Sequence, residues 1–127
     1  MMMGFWANAQ EYVHQVFVLN EGWSDWQTGE VLVPPTVGVY SPSLQVYETV
    51  DTLENAGFIS DAILVDGALF IAADGQILKY DADSYALLAS TEAVGVRQLA
   101  ERNGLIYATR GDVDEWGMNL PLDAYLQ

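Results

Sequence analysis

At 127 residues, half of them hydrophobic, the chain is long enough for one domain with a real core and too short for two of ordinary size. Its 18 acidic residues stand against Lys79, Arg97, Arg102 and Arg110, a formal charge of −14 that excludes nucleic acid as a partner and argues against docking on anionic lipid, since both need Lys and Arg to meet phosphate. The lack of cysteine removes disulfides, thiolate nucleophiles and cysteine zinc sites, and no apolar run approaches the roughly 20 residues of a membrane-spanning helix.

The N-terminus is apolar over Met1-Met2-Met3-Gly4-Phe5-Trp6, and Ala7-Asn8-Ala9 before Gln10 has the small-x-small form of a signal-peptidase site. Residues 1–9 therefore read as the end of a signal peptide, with a mature domain over 10–127 and export to the periplasm, cell surface or medium. A start codon assigned too late, or a truncated sequence, would account for the missing basic region and the short hydrophobic stretch. The alternative is a frayed terminus that happens to contain alanines.

From there the chain is a series of short apolar runs separated by turn signals, with no convincing helix. A first set of strands is predicted over 16–20, 37–40 and 45–50, the last two joined by a turn at Ser41-Pro42-Ser43. A second set falls over 59–65, 69–73, 77–80 and 85–89. Here Asp66-Gly67 supplies a tight turn that demands positive φ, and Asp81-Ala82-Asp83-Ser84 turns the chain through side-chain-to-backbone bonds. A third set begins over 96–101, turns at Asn103-Gly104 and continues over 106–109; Gly95 makes the stretch before it a connection and not a helix.

These sets repeat. Val16-Phe17-Val18-Leu19-Asn20-Glu21-Gly22, Leu69-Phe70-Ile71-Ala72-Ala73-Asp74-Gly75 and Ile106-Tyr107-Ala108-Thr109-Arg110-Gly111-Asp112 align without a gap, each an apolar run with an aromatic second residue. Four antiparallel strands in about 38 residues match a propeller blade. The expected fold is all-β: a β-propeller segment of about two and a half four-stranded antiparallel blades, truncated at its C-terminus, with units over 10–57, 58–94 and 95–127. The first unit has no room for its first strand. Its open edge then calls for the remainder of the same propeller or for a partner chain.

Leu105-Ile106-Tyr107-Ala108-Thr109-Arg110, Leu69-Phe70-Ile71-Ala72-Ala73 and Ile77-Leu78-Lys79-Tyr80-Asp81-Ala82-Asp83-Ser84 resemble the YVTN-repeat β-propeller family of exported bacterial proteins. Arg110 and Ala73 stand where the family pattern has Asn, and Ser84 where it has Thr. The resemblance implies a propeller at the cell surface or in the periplasm. It implies a binding role only in general terms.

Two long insertions break the repetition. One carries Trp23, Asp25 and Trp26 and runs to Thr36; the other carries Asp114, Glu115, Trp116 and Asn119. In a four-stranded blade both lie on the face that also holds the connections between blades. Indole faces beside hydrogen-bond acceptors make a platform for a glycan or a peptide. Tryptophans folded back to seal the outer blades are the competing reading. Arg97, at the start of an innermost strand, is placed to face a central channel and hold an anion, with a structural ion pair as the alternative.

Asp81 with Asp83, and Asp112 with Asp114 and Glu115, have the oxygens for Ca²⁺ but not the EF-hand spacing, and turn capping is the simpler account. Arg110-Gly111-Asp112 reads as a turn, and His14, the only histidine, as a blade-edge residue. No phosphate-loop, dinucleotide or zinc-protease spacing occurs, and no cofactor is implied. The expected function is an exported binding module. The alternatives are a propeller enzyme of lyase, glycosidase or lactonase type, using Asp25, Asp114 or Glu115 as acid or base, and an architectural scaffold of an envelope complex.

Overall fold

The computed structural model describes residues 13–111, and among them every regular element is a strand. In chain order these are β1 (Val16–Asn20), β2 (Trp23–Ser24), β3 (Val31–Val33), β4 (Thr36–Ser41), β5 (Val46–Thr52), β6 (Ile59–Val65), β7 (Ala68–Ala73), β8 (Gln76–Asp81), β9 (Leu87–Glu92), β10 (Val96–Arg102) and β11 (Leu105–Arg110). They form a three-stranded sheet ordered β1-β4-β5, a four-stranded meander β6-β7-β8-β9, a hairpin β10-β11 and a small hairpin β2-β3. All pairings are antiparallel.

The turns follow from local chemistry. Asp66-Gly67, Asp74-Gly75 and Asn103-Gly104 each place two consecutive residues at positive φ, the conformation whose twist suits a two-residue hairpin. At the β8–β9 end, Asp81 Oδ1 accepts from the backbone N–H of Asp83 (2.9 Å) and of Ser84 (2.8 Å). Those two bonds, Ser84's first, hold the Asp81 carboxyl below its ordinary range.

The fourth strand begins at Leu87, two residues later than its sequence suggests. Tyr85 belongs to the turn, at φ 64, and Gln45 holds the matching place before β5 at φ 54. The shared left-handed residue is set by the hairpin geometry, whatever side chain occupies it. Gln45 is exposed, so Gln45→Gly is expected to raise stability by about 0.5–1 kcal/mol by relieving strain. Tyr85→Gly relieves the same strain but loses a hydroxyl bond to Gln15 Oε1 (2.9 Å) and an edge contact with Phe17, and is expected to destabilise. Chemical denaturation of the two variants, side by side, checks the sign difference.

Period-two alternation on β7 sorts its side chains onto two faces. Leu69, Ile71 and Ala73 join Val37, Leu78 and Tyr80 in one core cluster, against which Phe17 and Leu19 pack. Ala72 instead joins Val96, Leu99 and Ala108 in a second cluster, with Phe70 and Ile77 alongside. The four-stranded sheet is thus covered on both faces, by β1-β4-β5 on one side and by β10-β11 on the other. Its outermost strand, β9, is exposed along its whole length.

Polar ties cross both junctions. Leu99 N–H donates to Asp61 Oδ2 (2.8 Å), and the Tyr80 hydroxyl donates to Asp51 Oδ2 (2.6 Å). Burial, reinforced by that bond and by the Asp51 charge, pushes the Tyr80 hydroxyl well above the ordinary phenol range. A phenol kept neutral by the fold contributes stability that is complete below about pH 10 and is lost as pH rises past it toward the folded-state value. Urea midpoints taken at about pH 8 and about pH 11 should therefore fall less in Tyr80→Phe than in the parent chain. Equal falls would show that this hydroxyl has no part in alkaline loss.

β6 and β10 share one irregularity. In β6 the register skips Ser60 between Ile59 and Asp61, and in β10 it skips Arg97 between Val96 and Gln98. The extra residue bends both strands at the same point, so Ser60 and Arg97 are equivalent.

Candidate functional site

The first long insertion is built from its ends inward. Gly22, at φ +79, turns the chain out of β1; a Cβ there would lie 2.6 Å from Val33 O and 2.8 Å from Pro35 N, so only glycine fits. Trp23 then pairs with Val33, and Ser24 with Val31. Sequence composition had suggested a loop. The apolar run Val31-Leu32-Val33 was the strand signal, and it makes the insertion a hairpin.

At the tip, Asp25 Oδ1 accepts from the N–H of Gln27 (2.7 Å) and of Thr28 (3.2 Å), while Asp25 N–H donates to Glu30 O (2.8 Å). One oxygen of this carboxylate thus holds the turn. The hairpin is also fixed to the neighbouring sheet: Ser24 Oγ donates to Gly57 O (3.0 Å), and Gly57 N–H donates to Asp74 Oδ2 (2.7 Å). That chain of bonds gathers the hairpin, the connection before β6 and the β7–β8 turn at one end of the stacked sheets.

Anchored in this way, the hairpin presents its indoles outward. Trp26 at the tip is 87% exposed and Trp23 at the base is 64% exposed. Trp23 lines an open groove of about 570 Å³ together with Leu19, Glu21, Val33 and Pro34. Glu21, Leu19, Val33 and Pro34 were not singled out in the sequence, because they become one groove only when the hairpin pairs Trp23 with Val33.

Arg97 is exposed, with its guanidinium carbon 5.4 Å from the centre of the Phe58 ring and Nη1 donating to Val96 O (3.2 Å). Asp114, Glu115, Trp116 and Asn119 lie outside the described residues, as do the segment 1–9 and Asp112. Arg110 Nε donates to Val94 O (2.7 Å). His14 precedes β1 and lines a separate groove of about 280 Å³ with Glu48, Leu44 and Tyr85. Among the described residues, no three His, Asp or Glu side chains gather as a metal site, and no helix is long and apolar enough to cross a membrane.

No family model matches this chain, and no curated protein matches it.

Proposed function

We propose that this chain is a binding module, exported to the cell surface or periplasm, whose ligand is gripped on the rim carrying Trp23 and Trp26. The observation that carries the reading is the exposure of both indoles on a hairpin fixed by the Ser24–Gly57–Asp74 bonds. A hairpin backbone fixed before a ligand arrives removes the cost of ordering the loop, so only the side chains remain to be ordered on binding. Asp25, with one oxygen bound into the tip turn, serves the hairpin's shape, which favours binding over acid or base chemistry at this position.

The scaffold we propose is part of a β-propeller of the YVTN-repeat kind. Its support is the stacking of similar antiparallel sheets face to face, with β1, β7 and β11 as equivalent strands and the same bulge in β6 and β10. Among the described residues β1 is an edge strand, whereas β7 and β11 are each paired by a preceding strand. A further antiparallel strand, from the same propeller or a partner chain, completes that edge. The apolar start and Ala7-Asn8-Ala9 support export.

The Trp23→Ala/Trp26→Ala double variant tests the reading on a panel of immobilised oligosaccharides and peptides. Every interaction of the parent chain should weaken at least tenfold. If all of them survive intact in a folded double variant, the rim is not the binding surface.

A further inference from the structure

We propose that the groove at the base of the β2–β3 hairpin takes the side chain of a lysine or arginine borne by a peptide. This rests on the tryptophan-rim reading and names the class of its ligand.

Charge is the first argument. Lys79 is the first Lys or Arg in the chain, so the β1-β4-β5 sheet and the hairpin contain acids and no fixed cation. Glu21, Asp25 and Glu30 all belong to the hairpin and its approach. A field of one sign over a whole surface draws in the opposite charge and repels anionic glycans.

Hydrogen-bond capacity is the second. Asn20 and Thr36 at the groove are neutral, and Asn20 Nδ2 donates to Thr36 Oγ1 (2.9 Å). Asp25 is engaged in the tip turn. Glu21 is exposed and has no hydrogen-bond or ion-pair partner among the described residues. Among the described residues, Glu21 is the one charged side chain lining the groove, and an acceptor-only carboxylate sharing a groove with an indole suits a cation. Leu19, Val33 and Pro34, which line the same groove, offer apolar surface to the methylene stem of that side chain.

The molecule uses this chemistry internally. Lys79 Nζ lies 5.6 Å from the centre of the Phe70 ring, and the Arg97 guanidinium 5.4 Å from that of Phe58. At Trp23 the aromatic face and the carboxylate are present and the cation is left to a partner.

The test titrates the full chain with a blocked heptapeptide of two lysines and two leucines among glycines. The same peptide with glutamine for lysine, and cellohexaose, are titrated in parallel. Calorimetry should show saturable binding of the lysine peptide that weakens with added salt, with the glutamine peptide at least tenfold weaker. Glu21→Gln and Trp23→Ala should each weaken the lysine peptide at least tenfold, with Glu21→Gln unfolding at the parent temperature. Equal binding of the glutamine peptide, or an unaffected Glu21→Gln, overturns the inference. So does binding of cellohexaose alone, which would leave the tryptophan rim standing if Trp23→Ala abolished it. Failure of all three probes with the folded parent chain also overturns it, while the rim is judged separately by the double variant.

Discussion

Replacing Ile71 with alanine is expected to destabilise the protein by roughly 3–4 kcal/mol. Ile71 is fully buried at the middle of β7, on the face that meets Val37 and the partly buried Phe17 and Leu19 of the first sheet. Removing three carbons loses their transfer free energy and leaves a cavity that strands on both sides of β7 prevent from closing. Leu64→Ala on β6 is the control, because Leu64 is 58% exposed and its loss should cost less than about 1 kcal/mol. Urea unfolding followed by circular dichroism measures both. If the two variants shifted the midpoint equally, the first and second sheets would not be stacked through this residue, and the proposed blade-on-blade arrangement would fall with that contact.

Gly22→Ala is expected to cost roughly 2–4 kcal/mol and to disturb the candidate site as well. Two effects add. The residue sits at φ +79, where a side chain strains the backbone, and its Cβ would press on Val33 O and Pro35 N, which are backbone atoms unable to rotate away. Gly67→Ala separates the two effects, since Gly67 has a similar φ of +76 but open space around its missing Cβ. That variant should lose only about 1 kcal/mol. The excess in Gly22→Ala measures how tightly the hairpin is closed at its base. Because Trp23 is the next residue, binding at the rim should weaken in Gly22→Ala and stay unchanged in Gly67→Ala. Equal losses of stability in the two variants would mean that the β2–β3 hairpin is free to shift.

The turns were legible in the sequence because they are decided over two to four residues. Asp66-Gly67 and Asn103-Gly104 adopt the positive-φ pairs their composition demands, and Asp81 caps its turn through its own side chain. Strands β6 and β10 start at Ile59 and Val96, the residues from which the sequence predicts them. The β2–β3 hairpin was harder to see. Tryptophans and acids dominate the composition of the insertion, while its strand signal is confined to Val31-Leu32-Val33. Tyr85 was misleading for a related reason: tyrosine favours strands in general, but the hairpin imposes a left-handed residue at that place.

By itself, then, the sequence determined an all-β chain, the equivalence of its repeated strands and the conformation of its tight turns. Those properties rest on short β-branched and aromatic runs between turn signals and on backbone preferences that neighbouring residues settle among themselves. The tertiary structure decided which sheets cover the two faces of β7, and that Trp23 and Trp26 point into water where they might equally have sealed a core. It also brought Ser24, Gly57 and Asp74 together and placed Glu21 in one groove with Leu19, Val33 and Pro34. Local patterning fixes which way a side chain leaves its strand, but what it meets there depends on segments tens of residues away, whose approach is governed by packing of the whole.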